Sequence, residues 1–189
     1  SQNQLIIEKC EPIDINKFKT TNLNSPMHWG QKYEPVSILY YEYINATKVD
    51  EFGCIPHPDY SFIAASPDGI ICDASSELFG RMLEIKNVVS RVITGVPKME
   101  YWIQMQLQME VCNLNECDFL ETVFKEYESK EEFTEDGNFT YSNKDELKGI
   151  IMYFMKEGKP HYEYMPLYLS ETDFEIWENK IIEKNYNIA

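Results

Sequence analysis

The sequence predicts a single α/β (α+β) domain in which helices flank a mixed central β-sheet. Three observations carry that expectation. At 189 residues the chain is long enough to fill one core, and one domain is favoured over two. Helical and strand periodicities alternate along it, in the order helix, hairpin, helix, strands, helix. Hydrophobic residues make up 43% and aromatics 14%, with thirteen Tyr and three Trp, a composition suited to a packed core rather than to a disordered chain.

The elements follow in order. An irregular opening runs to about residue 25, punctuated by Pro12 and Pro26. Trp29, Tyr33, Val36, Tyr40, Tyr41 and Ile44 recur at helical spacing and predict a helix over 29–44, with Pro35 expected near its first turn, where the missing N–H is tolerated. Two Pro make 54–59 a loop; 61–65 reads as a short strand entering the turn Ser66-Pro67-Asp68-Gly69, and 70–72 as a second strand. Residues 73–80 then turn the chain, and strict alternation over 81–87 predicts the returning strand. A second helix is expected over 98–111, with Met99, Trp102, Ile103, Leu107 and Val111 forming its broad apolar side and Glu100, Gln104 and Gln108 spaced four apart beside them. Tyr and Trp in both helices are expected to be mainly core. Strands are expected over 117–124, 149–155 and 162–169, the last two joined at Gly158-Lys159-Pro160, while the polar, acidic stretch 126–145 reads as a surface excursion. Ser170 caps a closing amphipathic helix with Asp173 at its third position and Phe174, Trp177 and Ile181 on its inner side.

Composition narrows the chemistry. No run approaches the roughly 18 apolar residues of a spanning helix, and no basic-then-apolar leader opens the chain, so a soluble protein that is not secreted is expected. The five Cys are odd in number and contain no C-x-x-C, and the three His lie far apart. Zinc and disulfide frameworks are not signalled, and any metal would be held by oxygen. The net charge of −15 opposes a nucleic-acid partner taken as a whole. Its distribution softens the objection: residues 1–110 hold 14 acidic and 9 basic side chains, whereas 111–189 hold 18 and 8. A metal site lined with carboxylates contributes negative charge of its own, which bound cations cancel in part.

The chemistry concentrates between residues 66 and 86. In Leu83-Glu84-Ile85-Lys86 the period of two sends Leu83 and Ile85 to one face and Glu84 with Lys86 to the other. The hairpin can return Asp68 to the side of Glu84. Two adjacent carboxylates repel unless they share a cation, and Mg2+, with Mn2+ as the alternative, suits such an oxygen site. The backbone carbonyl of Ile85 could complete the set. Lys86 could orient or help deprotonate a water, or stabilise charge on phosphate. Each part also has an ordinary reading, Asp68 as a turn residue and Glu84 with Lys86 as a charged strand face.

Four ordered blocks, Trp29-Gly30-x-x-Tyr33-Glu34, Ser66-Pro67-Asp68-Gly69, Leu83-Glu84-Ile85-Lys86 with Ser90-Arg91, and Tyr101-x-x-Gln104-x-Gln106, resemble the phage lambda exonuclease family. More closely they resemble the YqaJ-like viral recombinase nucleases of the PD-(D/E)xK superfamily. The resemblance covers about residues 25–125. It implies a restriction-endonuclease-like nuclease core and metal-dependent exonuclease activity on double-stranded DNA in viral replication or recombination, with one or two Mg2+ or Mn2+ ions. On this resemblance the catalytic residues are Asp68, Glu84, Lys86, Glu34 and Gln104. Asp68, Glu84, Ile85 and Glu34 are the metal residues, and Arg91, Ser66 and Ser90 the nucleic-acid contacts. Arg91 offers bidentate geometry suited to phosphate.

The resemblance further implies a homo-oligomer and a single-strand annealing protein as candidate partners, no membrane, and a location in host nucleus or cytoplasm, wherever viral DNA replicates. It departs from the family upstream of Glu34, where a cation that holds a terminal phosphate is replaced at best by Lys17 or Lys19. The chain opens at Ser1 without Met, so the single domain over 1–189 is read as one that could lack its natural N-terminal part. Two alternatives stay open: an endonuclease or structure-specific nuclease of the same superfamily, and a weakened nuclease fold that binds DNA or protein.

Overall fold

The computed structural model describes Leu23 and residues 25–186. The irregular opening segment, with Lys17 and Lys19, lies outside the described residues. Helix α1 spans Pro26–Asn45. Ser25 caps it by accepting from the His28 N–H at 3.1 Å, and Pro26 occupies the first turn, where no N–H is needed. Because the helix begins earlier than its apolar pattern suggests, Pro35 lies inside it rather than in the first turn. A proline there removes one helical hydrogen bond and crowds the preceding turn. Side chains from outside the helix reach carbonyls of that turn: Asn87 Nδ2 donates to Gly30 O at 2.9 Å and Tyr164 Oη to Lys32 O at 2.8 Å.

Strands β1 (Ile55–Pro56) and β2 (Ala64–Ala65) form a small antiparallel pair, so the strand expected over 61–65 is confined to its last two residues. The central sheet has the order β3-β4-β5, with β3 Gly69–Ile70, β4 Met82–Val88 and β5 Cys117–Val123. β3 is antiparallel to β4 and β5 is parallel to it, which makes the sheet mixed. The parallel step requires a crossover, and helix α2 (Met99–Cys112) supplies it.

β4 is buried on both faces. Leu83 and Ile85 pack with Ile38, Tyr41 and Ile71 on the α1 side, while Met82 packs with Ile70 and Met105 on the α2 side. Asn87 extends the α1 side as a polar clasp: the Ser37 hydroxyl donates to its Oδ1 at 2.7 Å, and so does Thr122 at 2.8 Å.

The orientation of α2 differs from the one its sequence predicts. Met99, Trp102, Ile103 and Leu107 are 71%, 48%, 47% and 56% exposed, and the buried residues are Met105, Gln108 and Val111. Gln108 Nε2 donates to Ser66 O at 3.3 Å, so the side that meets the sheet carries amides. Trp102 and the α1 residues Tyr40 and Tyr43 are likewise exposed, whereas Tyr33 and Tyr41 are core.

Residues 126–145 are not a featureless excursion. They contain the short helix α3 (Lys130–Glu135), and buried Lys148 donates to the carbonyls of Phe133, Asp136 and Asn138 at 2.6, 2.7 and 2.7 Å. One cation thus gathers the loop by its backbone. β6 (Ile151–Lys156) and β7 (Lys159–Tyr164) form a separate hairpin. Its turn is Glu157-Gly158, both with positive φ (51° and 75°), rather than the Gly158-Lys159-Pro160 expected, and Pro160 pairs with Met155 inside the ladder. Helix α4 (Glu171–Tyr186) closes the described chain, with Ser170 accepting from the Asp173 N–H at 3.1 Å and Ile181 buried.

Candidate active site

The strand period works at β4 as the sequence predicts. Glu84 and Lys86 leave one face together, and the Lys86 ammonium pairs directly with Glu84 Oε1. Glu84 is 0% exposed. Gln104, reaching down from α2, donates its Nε2 to the same oxygen at 2.8 Å, while Glu84 Oε2 has no hydrogen-bond partner among the described residues. A buried carboxylate oxygen without a donor is costly, and a cation is the partner that would satisfy it.

Asp68 arrives from the residue before β3. Its Oδ2 accepts the Ile85 N–H at 2.6 Å, which fixes the carboxylate against the outer edge of β4 where β3 has ended. Gly69 permits the approach, because a Cβ at that position would collide with the Val49 side chain. In extended backbone the N–H and C=O of one residue leave the strand on the same side. The Ile85 carbonyl therefore faces the same side as Asp68.

Crowding of these acids shows in their protonation. Burial, followed by the nearby Glu84 charge, pushes Asp68 up to about 7, against the opposing donation from Ile85. Glu34, on α1, is also raised, first by burial and then by Glu51, with Glu84 adding to the effect and Lys86 opposing it. Glu34, Asp68 and Glu84 thus feel one another. Among the described residues, however, no three His, Cys, Asp or Glu side chains come close enough to cage an ion by themselves. The arrangement fits an ion that keeps several waters and takes one or two carboxylates, the habit of Mg2+, better than an all-protein cage.

Arg91 pairs with Glu121 of β5 and stands 5.8 Å from the centre of the Tyr101 ring. Ser66 and Ser90 are exposed beside the site, and Ser66 contributes its carbonyl to Gln108. Two further neighbours border the site, and Glu121 is not evident from sequence. Glu121 is opposite Lys86 in the parallel register and its side chain is only 3% exposed, while Tyr101, part of one of the four blocks, gathers cations around its ring. Alternation within 117–123 could have placed Glu121 on the face of Phe119, but its pairing with β4 is a long-range fact.

The sequence profile of the YqaJ-like viral recombinase domain matches residues 1–115. An uncharacterized protein of Acanthamoeba polyphaga mimivirus is 36% identical over 149 residues, an alignment that covers 71% of this chain and 26% of that protein. The chain therefore spans about a quarter of the length of the curated relative it matches. Among solved structures, an alkaline exonuclease (LHK-Exo) from Laribacter hongkongensis superposes with a TM-score of 0.49 at 21% identity, covering 95% of this chain and 75% of that one. The same enzyme in complex with dAMP gives 0.46 at 20% identity, with the same coverage. With the profile matched over more than half of its length, the chain belongs to the YqaJ-like viral recombinase domain family.

Proposed function

We propose that this chain carries a divalent-metal-dependent nuclease site that hydrolyses phosphodiester bonds of double-stranded DNA, as an exonuclease in viral replication or recombination. The observation that carries this reading is the placement of three side chains about β4: Asp68 at its edge on the Ile85 N–H, and Glu84 on its face, paired with Lys86 and left with a free buried oxygen. Membership of the recombinase family supports it.

Asp68 and Glu84, with the Ile85 carbonyl, are the groups that would hold Mg2+ or Mn2+, and Glu34 would take a water or a second ion. When bound, the metal would lower the pKa of water and draw charge from phosphate oxygens. The chain's own residues supply the rest. Gln104 holds Glu84 Oε1 in place from α2 and so fixes which oxygen stays open. Lys86, a quarter exposed on its side chain and paired with the same oxygen, is placed to hydrogen-bond a water outside the buried carboxylates and to face the charge that develops on phosphate. Arg91, Ser66 and Ser90 would meet the DNA backbone. No helix of the described residues is long and apolar enough to cross a membrane. Self-association and an annealing-protein partner belong to the same reading.

The test is release of nucleotides from linear duplex DNA bearing 5′-phosphates in Mg2+, then Mn2+, by this chain and by Lys86→Ala. Loss of release in a substituted protein that still unfolds cooperatively, at a temperature lowered by the loss of the cation partner of Glu84, is the expected result. Cleavage of closed circular DNA would replace the exonuclease with an endonuclease. Absence of release by the folded parent chain with both metals would sink the hydrolytic reading.

A further inference from the structure

Lys86, Arg91 and Lys98 come from three different segments, and all stand about one aromatic ring, 5.2, 5.8 and 5.9 Å from the centroid of Tyr101. Like charges do not gather without cause. Lys86 and Arg91 have carboxylate partners in Glu84 and Glu121, but Lys98 has no ion-pair partner among the described residues. Lys98 is moreover the residue that opens α2, and it makes no side-chain cap there. A cation at the positive end of a helix dipole is unfavourable unless an anion joins it, and Glu100 in the same first turn supplies part of that charge without forming an ion pair with Lys98. Arg91 uses one of its five N–H donors on Glu121, which leaves a fork able to meet a second acceptor. Two of the three cations are thus paired with carboxylates, Lys86 also acts on Glu34 and Asp68, and Lys98 is the one of the three without an ion-pair partner among the described residues.

We propose that Lys98, Arg91 and the ring of Tyr101 form a phosphate subsite next to the reacting centre, with Lys98 and Arg91 meeting one phosphate of a DNA strand. Tyr101 acts as a positioning residue, its π face holding the cations that would otherwise spread apart. Lys86 bounds the subsite on the side of the buried carboxylates. The substrate's identity as DNA rests on the nuclease reading; the anion site rests on the cation geometry. The phosphate could be a terminal monoester or an internal diester, which share this chemistry.

The experiment is equilibrium binding of fluorescent duplexes to the full chain with EDTA present, at several salt concentrations. Three duplexes are used: 5′-phosphorylated, 5′-hydroxyl and closed circular. Lys98→Ala, on an exposed side chain, should weaken binding and reduce the slope of log K against log salt by about 0.9, the change expected when one phosphate is no longer neutralised. Tyr101→Phe should keep the parent slope, whereas Tyr101→Leu should lose slope as Lys98→Ala does. An equal effect on all three duplexes assigns an internal phosphodiester; an effect confined to the phosphorylated ends assigns the terminal monoester. An unchanged affinity and slope for Lys98→Ala on every duplex would overturn the subsite even if the chain hydrolyses DNA. Binding that depends on Lys98 without nucleotide release in either metal would overturn the nuclease reading and leave the subsite standing. A parent chain that binds no duplex would overturn the subsite, while nucleotide release in Mg2+ or Mn2+ decides the nuclease reading separately.

Discussion

Glu84 decides most of what can be said at the scale of single residues. Its carboxylate is fully buried, shares Oε1 between Lys86 and Gln104, and leaves Oε2 without a donor. A buried carboxylate oxygen left without a donor is costly to the fold, and a bound cation would offset that cost. An ion bound there should stabilise the fold whether or not DNA is cleaved. Mn2+ or Mg2+ should raise the Tm of the parent chain, by an amount equivalent to about 2.7 kcal/mol when the ion is at a hundred times its Kd. Glu84→Gln should abolish the rise, and calorimetry with and without EDTA reads it; an equal rise in both proteins would mean that the ion binds elsewhere. The placement of these side chains was legible in the sequence because it needs only a period of two and a turn: Asp68 returns beside Ile85, and Glu84 emerges with Lys86. Glu121 was not legible as a neighbour of Lys86, because it reaches it through the parallel pairing of β4 with β5, which local periodicity does not record.

Elements were legible where their signals are local and less so where a terminus depends on a partner. Ser170 with Asp173 starts α4 as the pattern requires, and alternation finds β4 to within one residue. Strand lengths around it were overestimated, since residues 61–63 have no neighbouring strand to pair with and only Ala64–Ala65 joins a ladder. Pro35 departs furthest from its rule. Proline is normally excluded from a helix interior, which places it at the first turn. The helix extends past that limit because Ser25 and Pro26 make a better start, while Asn87 and Tyr164 donate to Gly30 O and Lys32 O, which flank the Gln31 carbonyl that Pro35 leaves without its N–H. Tyr164→Phe removes one of those donors without altering the ring. It should lower the stability of the chain by about 1 kcal/mol, the net worth of a typical hydrogen bond, measured by urea unfolding with an unchanged m value. No loss would show that Lys32 O needs no donor beyond the Val36 N–H four residues on in the helix.

For the whole molecule the issue is which side of α2 meets the sheet. Hydropathy singles out Met99, Trp102, Ile103, Leu107 and Val111 as a core stripe, and of these only Val111 is buried. The helix instead turns its amides inward, Gln104 to Glu84 and Gln108 to Ser66, with Met105 filling the space beside Met82. A buried acid on β4 requires donors above it, and that requirement overrides the apolar pattern; the same demand that builds the site misleads the reading of the fold. The apolar stripe is then left facing outward, following exposed Val92 and Val96 of the preceding loop. The two orientations make opposite forecasts for paired substitutions. With α2 as observed, Met105→Ala should cost about 2–5 kcal/mol, as buried large-to-small changes do, and Leu107→Ala, on the outward stripe, should stay within about 0.5 kcal/mol of the parent. Were the helix rotated to bury its apolar stripe, Leu107 would carry the large cost and Met105 the small one. Chemical unfolding of the two variants separates these cases. It also tests the site from a distance, because a helix rotated to bury Leu107 would carry Gln104 away from Glu84 and leave the acid with Lys86 alone.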